Sequence, residues 1–91
     1  MNISKTQQRV LHTLAQGGRI LLIRDETGAL VRAECYNREG WKLAGFGLDL
    51  FRLMKRRRWI MSRDGGPYLI TRDGLEQLRP QLDNRVSTRR W

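Results

Sequence analysis

Cysteine, histidine, acidic side chains and long apolar runs are all scarce in this chain, and each shortage closes off a class of function. Cys35 is the only cysteine, so no intramolecular disulfide and no thiolate cluster for zinc can form, which fits a reducing compartment and a packed, unreactive thiol. His12 is the only histidine, and its place beside Leu11 in a helical stretch suits a hydrogen-bonded structural role. Catalysis needs converging groups such as a nucleophile with a base, paired carboxylates or several metal ligands, and none is visible. Gly45-Phe46-Gly47 is too short to be a phosphate-binding loop. No enzyme, cofactor or metal site is therefore expected. The longest apolar run, Ile20 to Ile23, falls far short of the roughly 20 residues that span a bilayer. With no apolar segment at the N-terminus, a cytoplasmic protein is expected.

What is plentiful is positive charge. The 91 residues include 18 Lys or Arg against 9 Asp or Glu, a net charge of +9. A surface with that potential attracts polyanions, and nucleic acid leads the candidate partners. The charge is uneven: the first 50 residues hold 7 bases against 5 acids, the remainder 11 against 4. The second half should carry the anion-facing surface. Hydrophobic residues at 40% and charged residues at 30% are ordinary globular usage, so one modest core is expected. We read residues 1–85 as a single domain and 86–91 as a flexible basic tail.

Ser4 and Gln7 have the spacing of a capping box, Val10, Leu11 and Leu14 fall on one helical face, and Gly17-Gly18 supply a stop. These signals predict a helix over residues 5–16. Arg19 to Arg24 and Ala29 to Tyr36 read as a β-hairpin around the turn Asp25-Glu26-Thr27-Gly28. Asn37 to Gly40 is a polar turn, after which Trp41-Lys42-Leu43 is a candidate short third strand. From Leu48 the period becomes helical, with Phe51 and Met54 on one face and basic residues elsewhere. Trp59-Ile60-Met61 and Tyr68-Leu69-Ile70 then flank a Gly-rich turn, a second hairpin with Arg63 at its tip. Thr71 can cap a third helix with the stripe Leu75, Leu78 and Leu82, weakened by Gly74 and interrupted at Pro80.

The fold class is accordingly α+β, three helices packed on a small antiparallel sheet, with helices one and three covering it. From Leu48 onward the order is similar to a winged-helix module, in which a helix leads into a two-stranded wing and then a last helix. The extra N-terminal β-hairpin occupies the place of the first helix of the usual helix-turn-helix pair.

The most specific functional signal is Arg52, Lys55, Arg56, Arg57 and Arg58, at the end of the second helix, together with Arg63. Such a cluster can neutralise phosphates as a nucleic-acid-binding surface, or it can be a solvated face that complements the helix dipole. Four consecutive bases exceed what the dipole needs, which favours anion binding. Trp41, Trp59 and Trp91 offer planes that stack on bases or fill the core, and Trp59, at the start of a strand, reads as core.

At Glu34-Cys35-Tyr36-Asn37-Arg38-Glu39-Gly40 the sequence resembles the YjhX family, small bacterial proteins described as toxins of toxin-antitoxin pairs and as topoisomerase I inhibitors. Met1-Asn2-Ile3-Ser4, Leu11-His12, Arg24-Asp25 with Gly28, Pro67-Tyr68 with Ile70, and Gln81 to Arg85 are in keeping with it, so the likeness is collinear over nearly all of Met1 to Arg85. Arg56-Arg57-Arg58, Pro80 and the tail depart from the pattern. The resemblance implies a non-enzymatic protein that engages DNA topoisomerase I and is restrained by an antitoxin protein. It supplies no catalytic residue. The segment from Glu34 marks either a partner surface, formed by Glu34, Tyr36, Arg38, Glu39 and Trp41, or a turn that needs Gly40. Two readings result: a toxin-like inhibitor that binds topoisomerase I, DNA or both through a basic face, and a winged-helix DNA-binding transcriptional regulator.

Overall fold

The computed structural model describes residues 3–78. Expectations about Pro80, Leu82, Trp91 and the tail lie outside them. The described chain runs α1 (Lys5–Ala15), β1 (Arg19–Arg24), β2 (Leu30–Tyr36), α2 (Leu48–Arg56), β3 (Ile60–Ser62) and β4 (Tyr68–Ile70), followed by the helical residues 72–78, α3.

The two hairpins join in one antiparallel sheet of order β2-β1-β4-β3. β1 and β2 pair in regular register from Arg19 opposite Tyr36 to Ile23 opposite Arg32, after which a bulge at Val31 brings Arg24 opposite Leu30. The junction between hairpins is slight, a single pair of Ile20 with Tyr68, because Pro67 has no N–H to extend it. α1 lies against β4, whereas α2 reaches both β2 and β3, so α2 covers the sheet as well as α1.

Local chemistry explains the boundaries. Ser4 and Gln7 form the reciprocal capping box at the start of α1. In the first turn, Asp25 Oδ1 accepts from the Thr27 and Ala29 amides and from the Thr27 hydroxyl, while Gly28 adopts a φ of 87°. The 37–40 turn repeats the device: Asn37 Oδ1 accepts from the Trp41 amide at 2.9 Å, and Gly40 takes a φ of 99°. The expected third strand at Trp41 to Leu43 is not formed in full. Lys42 makes an isolated bridge to Tyr36, and the chain leaves the sheet after the Leu43 amide bonds the Cys35 carbonyl at 2.7 Å.

The core draws Val10, Leu11 and Leu14 from α1, Ile20 from β1, Ala33 and Cys35 from β2, and Phe51 and Met54 from α2, closed by Trp59, Ile60 and Leu78. Burying each large apolar side chain contributes about 1.5–3 kcal/mol. Phe51 meets Tyr68 edge-on, ring centroids 5.0 Å apart. Cys35 is fully inside, and burial pushes its thiol up to about 11, consistent with an inert packing residue.

The stripe expected on α3 is corrected. Leu75 is 47% exposed while Leu78 is buried, because the helix turns Gly74 inward against the Trp59 carbonyl, where a Cβ would collide. His12 also departs from expectation, since its Nε2 is buried with no hydrogen-bond partner among the described residues.

Candidate functional site

α2 is positioned by its apolar face, which leaves Arg52, Lys55 and Arg56 exposed on the opposite side. Asp49 in its first turn and Lys55 and Arg56 in its last complement the helix dipole. The helix ends in a Schellman motif: the Arg58 amide bonds the Lys55 carbonyl and the Trp59 amide bonds the Met54 carbonyl, each at 3.0 Å. The left-handed residue that such a motif requires is ordinarily glycine. Here it is Arg58, with a φ of 63°.

The strained corner is held from outside the helix. The Thr71 hydroxyl donates to the Arg58 carbonyl at 2.6 Å and accepts from the Gly74 amide at 3.0 Å, so one side chain caps α3 and ties it to the end of α2. The Thr71 amide bonds the Trp59 carbonyl at 2.9 Å. Trp59 itself is 4% exposed, as the core reading expected, and the Arg57 guanidinium lies 5.5 Å from its ring centroid. Arg57 thus has packing to do beside any role toward a ligand.

Arg63 begins the turn between β3 and β4. Asp64 and Gly65 both have positive φ, and the Gly66 amide closes onto the Arg63 carbonyl at 3.0 Å, the geometry Asp-Gly favours in tight hairpins. Arg63 lies five positions after Arg58, which bounds their Cα separation at about 18 Å. Among the described residues, Arg52, Lys55, Arg56, Arg58 and Arg63 make no ion pair; the pairs present involve Arg32, Lys42 and Arg72.

The second group of candidates is divided by the fold. Alternation along β2 buries Ala33 and Cys35 and turns Arg32, Glu34 and Tyr36 to the face away from the core. There Glu34 accepts from the Tyr36 hydroxyl at 2.6 Å, from Lys42 Nζ at 3.3 Å and from Arg32 Nε at 3.2 Å, while Arg19 lies 5.8 Å from the Tyr36 ring centroid. The Tyr36 hydrogen bond, helped by Lys42 and Arg32, holds the Glu34 carboxyl below its usual range, and the same bond raises the Tyr36 phenol. Arg38 and Glu39 lie elsewhere, beside Thr13, Gln16 and Asn37 in a cleft of about 420 Å³. The Arg38 stem covers Gly17, 3.4 Å from where a Cβ would stand. Trp41 is 74% exposed.

Sequence reasoning found Glu34 and Tyr36 but missed Arg19, Arg32 and Lys42 around them. Arg32 was discoverable, since residues two apart on a strand share a face; Lys42 arrives only through the 37–40 turn. No three His, Cys, Asp or Glu side chains converge as a metal site among the described residues, and none of the described helices is long and apolar enough to cross a membrane.

Comparison with known proteins adds an independent line. The sequence model of the YjhX toxin family, described as "Putative toxin of bacterial toxin-antitoxin pair", matches residues 1–85. A UPF0386 protein of Caulobacter vibrioides is 57% identical over 91 residues, covering 100% of both chains. Similar proteins of Hyphomonas neptunium, 57% identical over 84 residues, and Rhizobium etli, 52% identical over 85, cover 92% and 93% of this chain and 99% and 100% of their own. No solved structure matches.

Proposed function

Because this chain belongs to the YjhX toxin family, we propose that it is a non-enzymatic, cytoplasmic toxin-like inhibitor that acts on DNA topoisomerase I, on DNA or on both through the basic corner where α2 hands over to β3. An antitoxin protein is the partner that restrains it. The observation that carries the reading is the exposed set Arg52, Lys55, Arg56, Arg58 and Arg63, none of them ion-paired among the described residues. Cations without carboxylate partners keep their full charge for a polyanion, and arginine pairs with phosphate bidentately. Glycine would fill the left-handed position of the Schellman motif without strain, and an arginine kept there is in keeping with a cation that serves a ligand.

A relaxation assay tests it. With supercoiled plasmid and a bacterial topoisomerase I, the protein should slow relaxation. An inhibitory concentration that rises with the amount of DNA means that DNA is the target; one that tracks enzyme means that the enzyme is. Unchanged relaxation at saturating protein removes the reading.

A winged-helix transcriptional regulator is the second reading, favoured by α2 leading directly into the β3–β4 hairpin and on into α3. It demands a preferred duplex sequence, which binding-site selection from random DNA would reveal and which phosphate contacts alone do not produce.

A further inference from the structure

An antiparallel sheet with one face in water usually reads apolar inward and polar outward. β1 does not. Between its terminal arginines it runs Ile-Leu-Leu-Ile, apolar on both faces, the pattern of a strand buried from both sides. α1 and α2 cover one face, where Ile20 and Leu22 of β1, Tyr68 and Ile70 of β4 and Ile60 of β3 join the core. Leu21, Ile23, Met61 and Leu69 alternate with these, so they turn to the opposite face and stand apart from the core. Met61 is 54% and Leu69 51% exposed.

The four side chains are neighbours. Met61 pairs with Leu69, and the register of Ile20 with Tyr68 sets Arg19 beside Leu69 and Leu21 on its diagonal. Beyond that pair the strands diverge, and a cleft of about 380 Å³ opens between Leu21 and the turn at Gly65, Gly66 and Pro67. Toward β2 the same face becomes polar, with Ile23 opposite Arg32, Leu21 opposite Glu34 and Arg19 opposite Tyr36. Arg19, Arg32 and Lys42 gather there around the one carboxylate of Glu34, a positive excess. Single exposed apolar residues need no explanation, but a contiguous patch with a charged rim marks an interaction surface.

We propose that this open face of the sheet receives an acidic amphipathic helix of a partner protein, its apolar stripe over Leu21, Ile23, Met61 and Leu69 and its carboxylates toward Arg19, Arg32 and Lys42. The dimensions fit: three steps of about 4.8 Å between strands make the face about 14 Å wide, enough for a helix about 10–12 Å across. Charge complementarity selects an acidic flank. A single strand of nucleic acid fits poorly, because Arg19 lies over the Tyr36 ring and Glu34 holds its hydroxyl, so the plane available for base stacking is occupied. Aliphatic side chains offer phosphate nothing. A second copy is opposed by the net charge of +9 that each chain carries. This inference goes beyond the basic corner and does not depend on it.

The test is an NMR titration of the full chain, read at its side-chain methyl groups, with peptides of about 18 residues, five helical turns, that carry a leucine stripe flanked by Glu or the same stripe flanked by Lys. The Glu peptide should shift the methyl signals of Leu21, Ile23, Met61 and Leu69 saturably and bind at least about tenfold more tightly than the Lys peptide. Met61→Gln with Leu69→Gln changes only exposed side chains and should weaken that binding by about tenfold or more. Arg32→Gln with Lys42→Gln should weaken it too and reduce its dependence on salt, and carries the test if the first variant fails to fold. Shifts of the same methyls on concentrating the protein alone would put a second copy on the face, and shifts with an oligothymidylate would put a single strand there. Either result, equal binding of both peptides, or no saturable shift at these four residues would overturn the proposal.

Discussion

At the scale of single residues, two positions show why side-chain type and backbone conformation must be weighed together. Arg58 occupies the left-handed position of a Schellman motif, which costs a residue with a Cβ about 1–2 kcal/mol, while glycine there costs about 0.4–1 kcal/mol in the unfolded chain. The first term exceeds the second. Arg58→Gly should therefore raise stability by about 0.5–1 kcal/mol in a denaturant melt and at the same time weaken DNA binding. A variant that is neither more stable nor weaker in binding would remove the argument that the strain serves a ligand. Gly74 presents the opposite case, since helix propensity favours alanine by about 1 kcal/mol but a Cβ would collide with the Trp59 carbonyl and sit 2.8 Å from the Ile70 side chain. Main chain cannot step aside as a side-chain tip can, so Gly74→Ala should lose about 1–3 kcal/mol net. A melt that improves would show that the helix has room to shift. Neither position was legible in the sequence, where Arg58 looked like one more cation and Gly74 like a weakness in a helix. Both depend on what lies across from them.

At the scale of elements the sequence was far more explicit. The capping box at Ser4, the core face of α1, the two hairpins and the period change at Leu48 were all readable, because capping, turn chemistry and hydrophobic spacing act within a few residues. The strand expected at Trp41 was not realised beyond one bridge, since the chain after Leu43 turns toward α2. The same turn delivers Lys42 to Glu34, a contact eight residues apart that no short pattern encodes. Its pH signature is set by the direction of the Glu34 shift. Tyr36 above all, then Lys42 and Arg32, stabilise the carboxylate, so the contribution is complete above the unfolded value of about 4.3 and is lost as pH falls through the lower folded value. Wild-type protein should lose more stability than Glu34→Gln between pH 6 and pH 3. Asp25, lowered by its bond from the Thr27 hydroxyl, titrates the same way in both proteins and cancels from the difference. Parallel stability curves for the two proteins would mean that the cluster contributes nothing to the fold.

Across the whole molecule, the excess of positive charge attracts any polyanion, so a measured affinity for DNA would by itself say little about the basic corner. What distinguishes local contacts from a diffuse field is the number of counterions released. Each phosphate that the protein neutralises on duplex DNA steepens the plot of log affinity against log salt by about 0.9. Arg57 is left in place, because its stacking on Trp59 would confound lost contact with lost fold. The variant to measure is Arg52, Lys55, Arg56 and Arg63 all to alanine, four exposed side chains outside the core. Exposed charges away from packing usually change stability by no more than about 0.5 kcal/mol each, so its melting curve should stay close to wild type. If all four contact phosphates, the slope should flatten by about 0.9 for each one lost, whatever the DNA sequence. A long-range field would instead weaken binding only in proportion to the charge removed, with the losses equal wherever on the surface four cations are taken away. The control is therefore a second variant that removes Lys5, Arg9, Arg24 and Arg72, leaving the same net charge but sparing the corner. Equal slopes for the two variants would make the corner a solvated face, and the weight of the function would pass to protein contacts elsewhere on the molecule.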